Sequence, residues 1–306
     1  MNVLVTGGAG FISHHIVERL LETDHEVTVL DDLSSGDPNR IPDNATFIEG
    51  DIRDKNTVTD AVTNTDCIYH LAALASVPAS VEDPRTAHTI NVDGTLNILE
   101  AARTHDTRVV LASSAAIYGH PTYTPIDEAH PTEPTSPYGI DKLAADHYTR
   151  RYHDLYDLDT VAIRPFNVYG PGQTSDGYAG VVSTFIEQAL AGNDLTVHGD
   201  GMQSRDFVYV DDIVNAMIAA GETEHVGQAF NIGSGAETTV RELAEAVRDV
   251  TDAAVDIIYT DPREGDIHQS VADITKARSQ LGYEPTVDLR EGLRRTVDWW
   301  VETQRP

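Results

Sequence analysis

The sequence predicts an α/β protein: a doubly wound parallel sheet joined to a smaller α/β unit. Short, continuous runs of Val, Ile and Leu alternate with amphipathic helical stretches through the first half, as strands buried on both faces require. A glycine-rich turn, Gly7-Gly8-Ala9-Gly10, separates the first such run from the first helical pattern. Past Arg164 the character changes: glycine, proline and polar turns crowd residues 164–180, and shorter strands alternate with helices.

Taken in order, residues 3–6 form a β-branched strand, and residues 12–21 carry the helical period that follows the glycine turn. Residues 27–30, 46–49 and 66–70 give the next strands, 86–104 one long helix, and 108–112 and 160–163 two further strands. Residues 229–232 are expected to complete the same sheet. Between them, strands at 195–198, 207–210 and 255–259 and the capping box Thr239-Val240-Arg241-Glu242, opening a helix to about Val250, build the smaller unit. The expected boundary is therefore residues 1–165, with a return segment at about 206–233, against 166–306. Because the chain crosses back, residue 165 is not a linker and the two units are expected to share one cleft.

Composition narrows the partners. Twenty-one basic residues against 50 acidic give a net charge of −29, which repels phosphate backbones and argues against nucleic-acid binding. No run of eighteen apolar residues is present, so no membrane span is expected. Lysine occurs only at Lys55, Lys142 and Lys276. An acid excess with so little lysine suits a salt-rich cytoplasm, where the Debye length is ~3 Å at 1 M. The opening Met1-Asn2-Val3-Leu4-Val5-Thr6 is already a strand without a basic, apolar leader, which favours a cytoplasmic location. The single cysteine, Cys67, reads as a small buried hydrophobe. The histidines, His14-His15 included, show no metal-ligand spacing, so no metal is expected.

Two motifs carry chemistry. Gly7 and Gly10 let the backbone turn tightly toward a pyrophosphate, and the helix opening at Phe11-Ile12 offers free N–H groups and a positive dipole end. About twenty residues on, Asp31 and Asp32 close the second strand. A carboxylate there accepts from ribose hydroxyls and repels a 2′-phosphate, favouring NAD over NADP. In the second motif, Ser136-Pro137 caps and opens a helix that carries Tyr138 and, one turn on, Lys142. The two project from one face ~6 Å apart, so the ammonium favours the phenolate of a tyrosine whose ordinary pKa is ~10. Ser113-Ser114 ends the strand at 108–112, at the carboxyl edge where doubly wound sheets bind ligands.

These motifs, with Gly50-Asp51-Ile52-Arg53-Asp54, His70-Leu71-Ala72-Ala73, Ser113 through Gly119, Arg164 through Gly172, and Arg205 through Asp212, resemble the extended short-chain dehydrogenase/reductases, in their branch of nucleotide-sugar epimerases and dehydratases. The resemblance runs through nearly the whole chain and implies a Rossmann-type fold. One departure is Ser13 in place of the loop's third glycine, a small residue expected to leave NAD binding intact.

The resemblance implies roles residue by residue. Asp51 and Ile52 meet the adenine edge, and Leu71, Ala72, Ala73 and Asn91 the cofactor bridge. Ser114, Tyr138 and Lys142 are catalytic: Ser114 bonds the sugar hydroxyl, Tyr138 takes its proton, and Lys142 holds the nicotinamide ribose. Asn167, Arg205, Arg263 and Asp266 bind the nucleotide diphosphate and ribose, and Ser270 lies beside the C2 substituent of the sugar. The dehydratases and decarboxylases of this family carry acids directly after the hydroxyl residue; here those positions are Ala115 and Ala116. What remains is 4-epimerisation of a UDP-glucose/UDP-galactose type sugar, N-acetyl forms included, through a 4-keto intermediate. The alternatives are a UDP-glucuronate 4-epimerase, another dehydratase or decarboxylase, and, from a different class, a catalytically silent NAD-sensing protein. The family builds a homodimer through the helices at 86–104 and 137–156, and the same is expected here.

Overall fold

The computed structural model describes residues 1–174, 180–263 and 265–303. Through the first half the chain runs β1 (Asn2–Thr6), α1 (Phe11–Leu21), β2 (Glu26–Asp31), β3 (Thr46–Glu49), α2 (Lys55–Val62), β4 (Cys67–His70), α3 (Val77–Glu82), α4 (Pro84–His88), α5 (Gly94–His105), β5 (Arg108–Ala112), α6 (Pro137–Tyr156) and β6 (Thr160–Pro165). The second half adds β7 (Asn167–Tyr169), α7 (Val181–Leu190), β8 (Leu195–His198), β9 (Ser204–Arg205), β10 (Phe207–Tyr209), α8 (Val210–Glu222), β11 (Gln228–Ile232), β12 (Thr238–Thr239), α9 (Val240–Thr251), β13 (Ile257–Thr260), β14 (Gln269–Ser270), α10 (Thr275–Leu281) and α11 (Leu289–Thr303).

Seven strands form one parallel sheet in the order β11-β6-β5-β4-β1-β2-β3. The chain leaves β1 toward β2 and β3, then returns to build outward from β4. The order therefore reverses between β1 and β4, where doubly wound sheets open a crevice. Leu4, Val5, Val29, Leu30, Ile68, Val110 and Val161 are fully buried in the strands, explaining their unbroken apolar runs. The expected return strand at 229–232 is β11, paired with β6 at the sheet edge.

Three sequence expectations needed adjustment. The helix expected at 86–104 begins with α4, widens into a π turn at Thr89–Asp93 and continues as α5, so it runs through with one wider turn that includes the buried Asn91. The strand expected at 207–210 stops at Tyr209 because Val210 already starts α8, and the one at 255–259 is shifted to Ile257–Thr260. The caps behave as read: Ser136 accepts from Gly139 N–H with Pro137 in the first turn, and Thr239 and Glu242 form a reciprocal capping box. Cys67 is buried.

A buried polar knot ties α6 to the sheet. Asp146 of α6 is fully buried and accepts two bonds from Arg164 of β6, one from Arg150 and one from Ser113 at the end of β5. Burial alone pushes the Asp146 carboxyl up, but the two guanidinium groups hold it below the usual carboxylate range. Arg164 also donates to Tyr118 Oη, whose hydroxyl donates to Asn231 of β11. Removing one partner strands an opposite charge in the interior. Asp146→Ala is therefore expected to cost about 3–5 kcal/mol in chemical denaturation; a loss under about 1 kcal/mol would show that the knot does not hold α6.

Candidate active site

The glycine loop follows β1 directly. Gly7 has φ +71°, and a Cβ there would lie 2.8 Å from the Ala72 backbone, so only glycine lets the β1 and β4 exits approach this closely. Gly10 caps α1 without a side-chain acceptor, leaving the first-turn N–H groups for an anionic ligand. Ser13 is buried and its hydroxyl donates to Gly7 O, so the residue in place of the third glycine fastens the loop. Asp31 is buried, with one carboxylate oxygen accepting from Ala9 N–H (3.0 Å) and the other from Leu33 N–H (2.8 Å). Burial raises its pKa, Asp32 adds to this, and the two amide bonds oppose it. Asp32 is exposed and occupied with Ser34.

Residues expected at the adenine edge split in role. Asp51 is engaged by the Arg53 side chain and backbone, and the Arg53 bond holds its pKa down. The Ile52 side chain is buried against Gly94 of α5, which leaves only its backbone to face a ligand. Asn91 is likewise buried, and its amide closes on Leu74 from both ends, accepting from N–H (2.8 Å) and donating to C=O (3.2 Å). It positions the loop at 71–74 and keeps one Nδ2 hydrogen and one Oδ1 lone pair beyond these two bonds.

Behind that loop runs a relay that the sequence reading missed. Thr95 donates to Asn91 O, so its oxygen accepts from His70 Nε2 (3.0 Å). His70 Nδ1 then accepts from Thr6 Oγ1 (2.7 Å), and Thr6 Oγ1 accepts from Ala72 N–H. The pattern fixes one neutral tautomer, and burial, with Lys142 adding to it, pushes the His70 pKa down to about 3. The signal was present as a histidine and threonines inside apolar runs, but only the fold aligns them.

At the carboxyl edge the Ser113-Ser114 pair divides. Ser113 is buried and donates to Asp146; Ser114 is half-buried, caps the turn Ala115–Tyr118 by accepting from Ala116 N–H (3.1 Å), and keeps its own proton to give. A Cβ on Gly139 would lie 2.8 Å from Ala116 O, so the first turn of α6, bearing the half-buried Tyr138, packs directly on that turn. Ser80 of α3 accepts from Tyr138 N–H, steadying it. Lys142 is buried, donates to Ala112 O (2.8 Å), and is lowered to about 8 by burial, with Asp141 opposing.

The second group assembles around Asp206. This buried carboxylate accepts from Ser234 N–H and Oγ, Gly235 N–H and Ala272 N–H, fastening β9 to the turn after β11 and the exit of β14. Asn167 donates to Asp206 O (3.0 Å). Arg205 pairs with Asp266 and donates to Ile267 O, and burial lowers its pKa against the pull of Asp266. Ser270 is buried and stands opposite Arg205 in the β14–β9 register. Arg263 is exposed on the adjoining turn; Glu264 of the same motif and 175–179 of the glycine- and proline-rich segment lie outside the described residues. Ile126, in the loop leading to α6, pairs with the strand leaving Ser270, which links this group to α6. The ligand atoms of His14, His15 and Glu18 come within 4.8 Å of one another, yet each ring already bonds a backbone carbonyl, of Gly10 and Pro171, and we assign them a structural role.

The family model described as NAD dependent epimerase/dehydratase family matches residues 3–233. UDP-glucose 4-epimerase of Mycolicibacterium smegmatis is 43% identical over 98% of this chain and 98% of its own. The crystal structure of UDP-glucose 4-epimerase from Thermotoga maritima with UDP-glucose aligns at TM-score 0.97 and 39% identity over 100% of both chains. UDP-N-acetylglucosamine 4-epimerase from Methanobrevibacter ruminantium, in complex with UDP-N-acetylmuramic acid, aligns at TM-score 0.95 and 38% identity over 99% of each. UDP-sugar decarboxylases and a dTDP-glucose 4,6-dehydratase are also relatives, at 33–37% identity.

The relay behind the loop has a measurable consequence. Folding favours the neutral His70 ring, so its contribution is fully present above about pH 6.5 and is lost as pH falls toward 3. Between pH 6 and 4 the wild type is expected to lose stability more steeply than His70→Gln, by about 1.4 kcal/mol per pH unit in urea titrations. Parallel slopes would mean that the ring protonates freely in the folded chain.

Proposed function

Because the chain belongs to the NAD dependent epimerase/dehydratase family, we propose that it is an NAD-dependent 4-epimerase of UDP-glucose and UDP-galactose that also accepts their N-acetyl forms. The observation that carries the reading is the packing of the Tyr138 turn of α6 on the Ser114 turn, with Lys142 one helical turn behind and alanine at both following positions. NAD suits the first unit: a loop that a Cβ at Gly7 would close, open N–H groups at the start of α1, and a twice-anchored Asp31 for the ribose hydroxyls.

When bound, NAD accepts a hydride from C4 of the sugar and later returns it. Ser114 Oγ holds the 4-oxygen by hydrogen bond, and Tyr138 Oη takes the hydroxyl proton as the C4 carbonyl forms. The Lys142 ammonium, carried one helical turn from Tyr138 on α6, stabilises phenolate while it lasts. The 4-keto sugar turns over in the cleft, tethered through its diphosphate by Arg205 and Arg263 and by Asn167. For return from the opposite face, Tyr138 would give its proton back to the same oxygen. Ala115 and Ala116 bring no acid to eliminate water or assist decarboxylation, which supports epimerisation over the other activities among the relatives. No net proton or electron is consumed, so the same tyrosine is ready for the next turnover.

Tyr138→Phe is expected to retain NAD and to lose at least ~10²-fold in turnover of UDP-glucose, the scale of positioned acid–base catalysis; near-normal turnover would exclude Tyr138 as the proton carrier.

Sugar size turns on Ser270. It is buried beside Arg205, where a small side chain leaves room at the sugar's C2 and its hydroxyl can bond an acetamido group. UDP-N-acetylglucosamine is expected to be epimerised at a rate comparable to UDP-glucose, and Ser270→Tyr to lose only the N-acetyl activity. NMR of the products decides this: a wild type inert toward the N-acetyl sugar, or a variant of unchanged preference, would remove the role.

A further inference from the structure

On the side of the α6 knot away from Tyr138 lies a cavity of about 340 Å³, lined by Arg150, Arg164, Lys276, His147, Thr132 and Glu128, among others. Its charge is unusual for this chain. Against a net −29, three cationic side chains face it and one carboxylate does. Of only three lysines, Lys55 is exposed at the start of α2 and Lys142 belongs to the candidate active site, while the third is placed here.

The cations have too few acceptors. Both oxygens of Asp146 are already taken by Arg164, Arg150 and Ser113. Glu128 uses one oxygen on Asn231 N–H and forms no ion pair among the described residues. Lys276 Nζ makes one bond, to Ala229 O, and lies over the Phe230 ring, so two of its three N–H groups have no acceptor among the described residues. Arg150 donates through Nε and one terminal nitrogen, to Asp146 and His147, and its other terminal nitrogen has no acceptor among the described residues. The crowding is felt by the groups themselves. Burial lowers the pKa of Lys276, with Arg164 and Arg150 adding to it and Glu128 opposing, and His147 is lowered by burial and then by Arg150. An anion between them would relieve both.

We propose that this cavity binds a free inorganic oxyanion of the phosphate or sulfate class, bridging Arg150 of α6 and Lys276 of α10. A tetrahedral oxyanion matches a donor set of guanidinium, ammonium, imidazole and hydroxyl from Thr132, and charge-assisted bonds to it are the strong kind. Both helices pack on β11, so the anion clamps them across the sheet edge behind the catalytic helix.

The test uses the holoenzyme with saturating NAD and UDP, so that the nucleotide phosphate sites are filled. Inorganic phosphate is titrated against potassium chloride of matched ionic strength while the melting temperature is followed. A saturable rise of about 2–4 °C is expected, retained in Lys55→Met and Lys276→Arg and lost in Lys276→Met. Thr132→Glu, which sets a carboxylate into the cavity without touching the knot, is also expected to lose it and decides the matter if Lys276→Met does not fold. A rise matched by chloride, or one that survives Thr132→Glu with unchanged half-saturation, would overturn the site. An equal response to glucose 6-phosphate would overturn the assignment to a free anion.

Discussion

Asp146 has no exposed surface, yet four donors converge on its two oxygens, and that convergence ties α6, the helix that carries Tyr138, to the central sheet. A helix packed on a sheet by apolar contacts alone can slide or rotate by a fraction of a turn at little cost. A bidentate guanidinium–carboxylate pair cannot, because both charges are desolvated and lose their partner on any displacement. Arg164 belongs to β6, Ser113 to the end of β5 and Asp146 to α6, so one pair fixes the azimuth of α6 against two strands. The Ser113 bond does more: by turning this hydroxyl inward, it presents the next one, Ser114, outward at the sheet edge.

The same logic of fully satisfied buried groups recurs at the other anchor points. His70, Thr6, Thr95 and Asn91 form a chain in which each donor has one acceptor, and it holds the loop at 71–74 against the glycine turn. Asp206 gathers four donors from two segments, the Ser234-Gly235 turn and Ala272, beside the register that places Arg205 opposite Ser270. These networks are rigid because an unpaired member in a low-dielectric interior costs more than a made bond returns. In a strongly acidic chain they have a second effect. Arginines drawn into the Asp146 knot gather positive charge in one place on a chain of net charge −29.

Most of the architecture was legible in the sequence because its signals are local. A strand buried on both faces needs an unbroken apolar run, a helix start needs a cap, and a tight βα turn needs glycine; each of these is written within a few residues. The Tyr138–Lys142 spacing is local too, since one helix turn fixes it whatever the helix packs against. The π turn at Thr89–Asp93 was not legible: the sequence there reads as one helical stretch, and the turn shows only where α4 and α5 pack together against α6.

What only the tertiary structure decided are the partners of buried polar side chains. Asp31 was identifiable from its place at a strand end, but the inward turn of Ser113, the closed amide of Asn91 and the burial of the Ile52 side chain depend on residues 17 to 42 positions away. Asp146, Arg164 and Asp206 look in the sequence like ordinary charges, three among 71. The sequence by itself determined which elements form and in what order they alternate, because backbone propensity and hydrophobic period act over one or two turns. Tertiary structure determined which charges are buried and whom they bind, because desolvation depends on what lies above a side chain in space, and no local pattern records it.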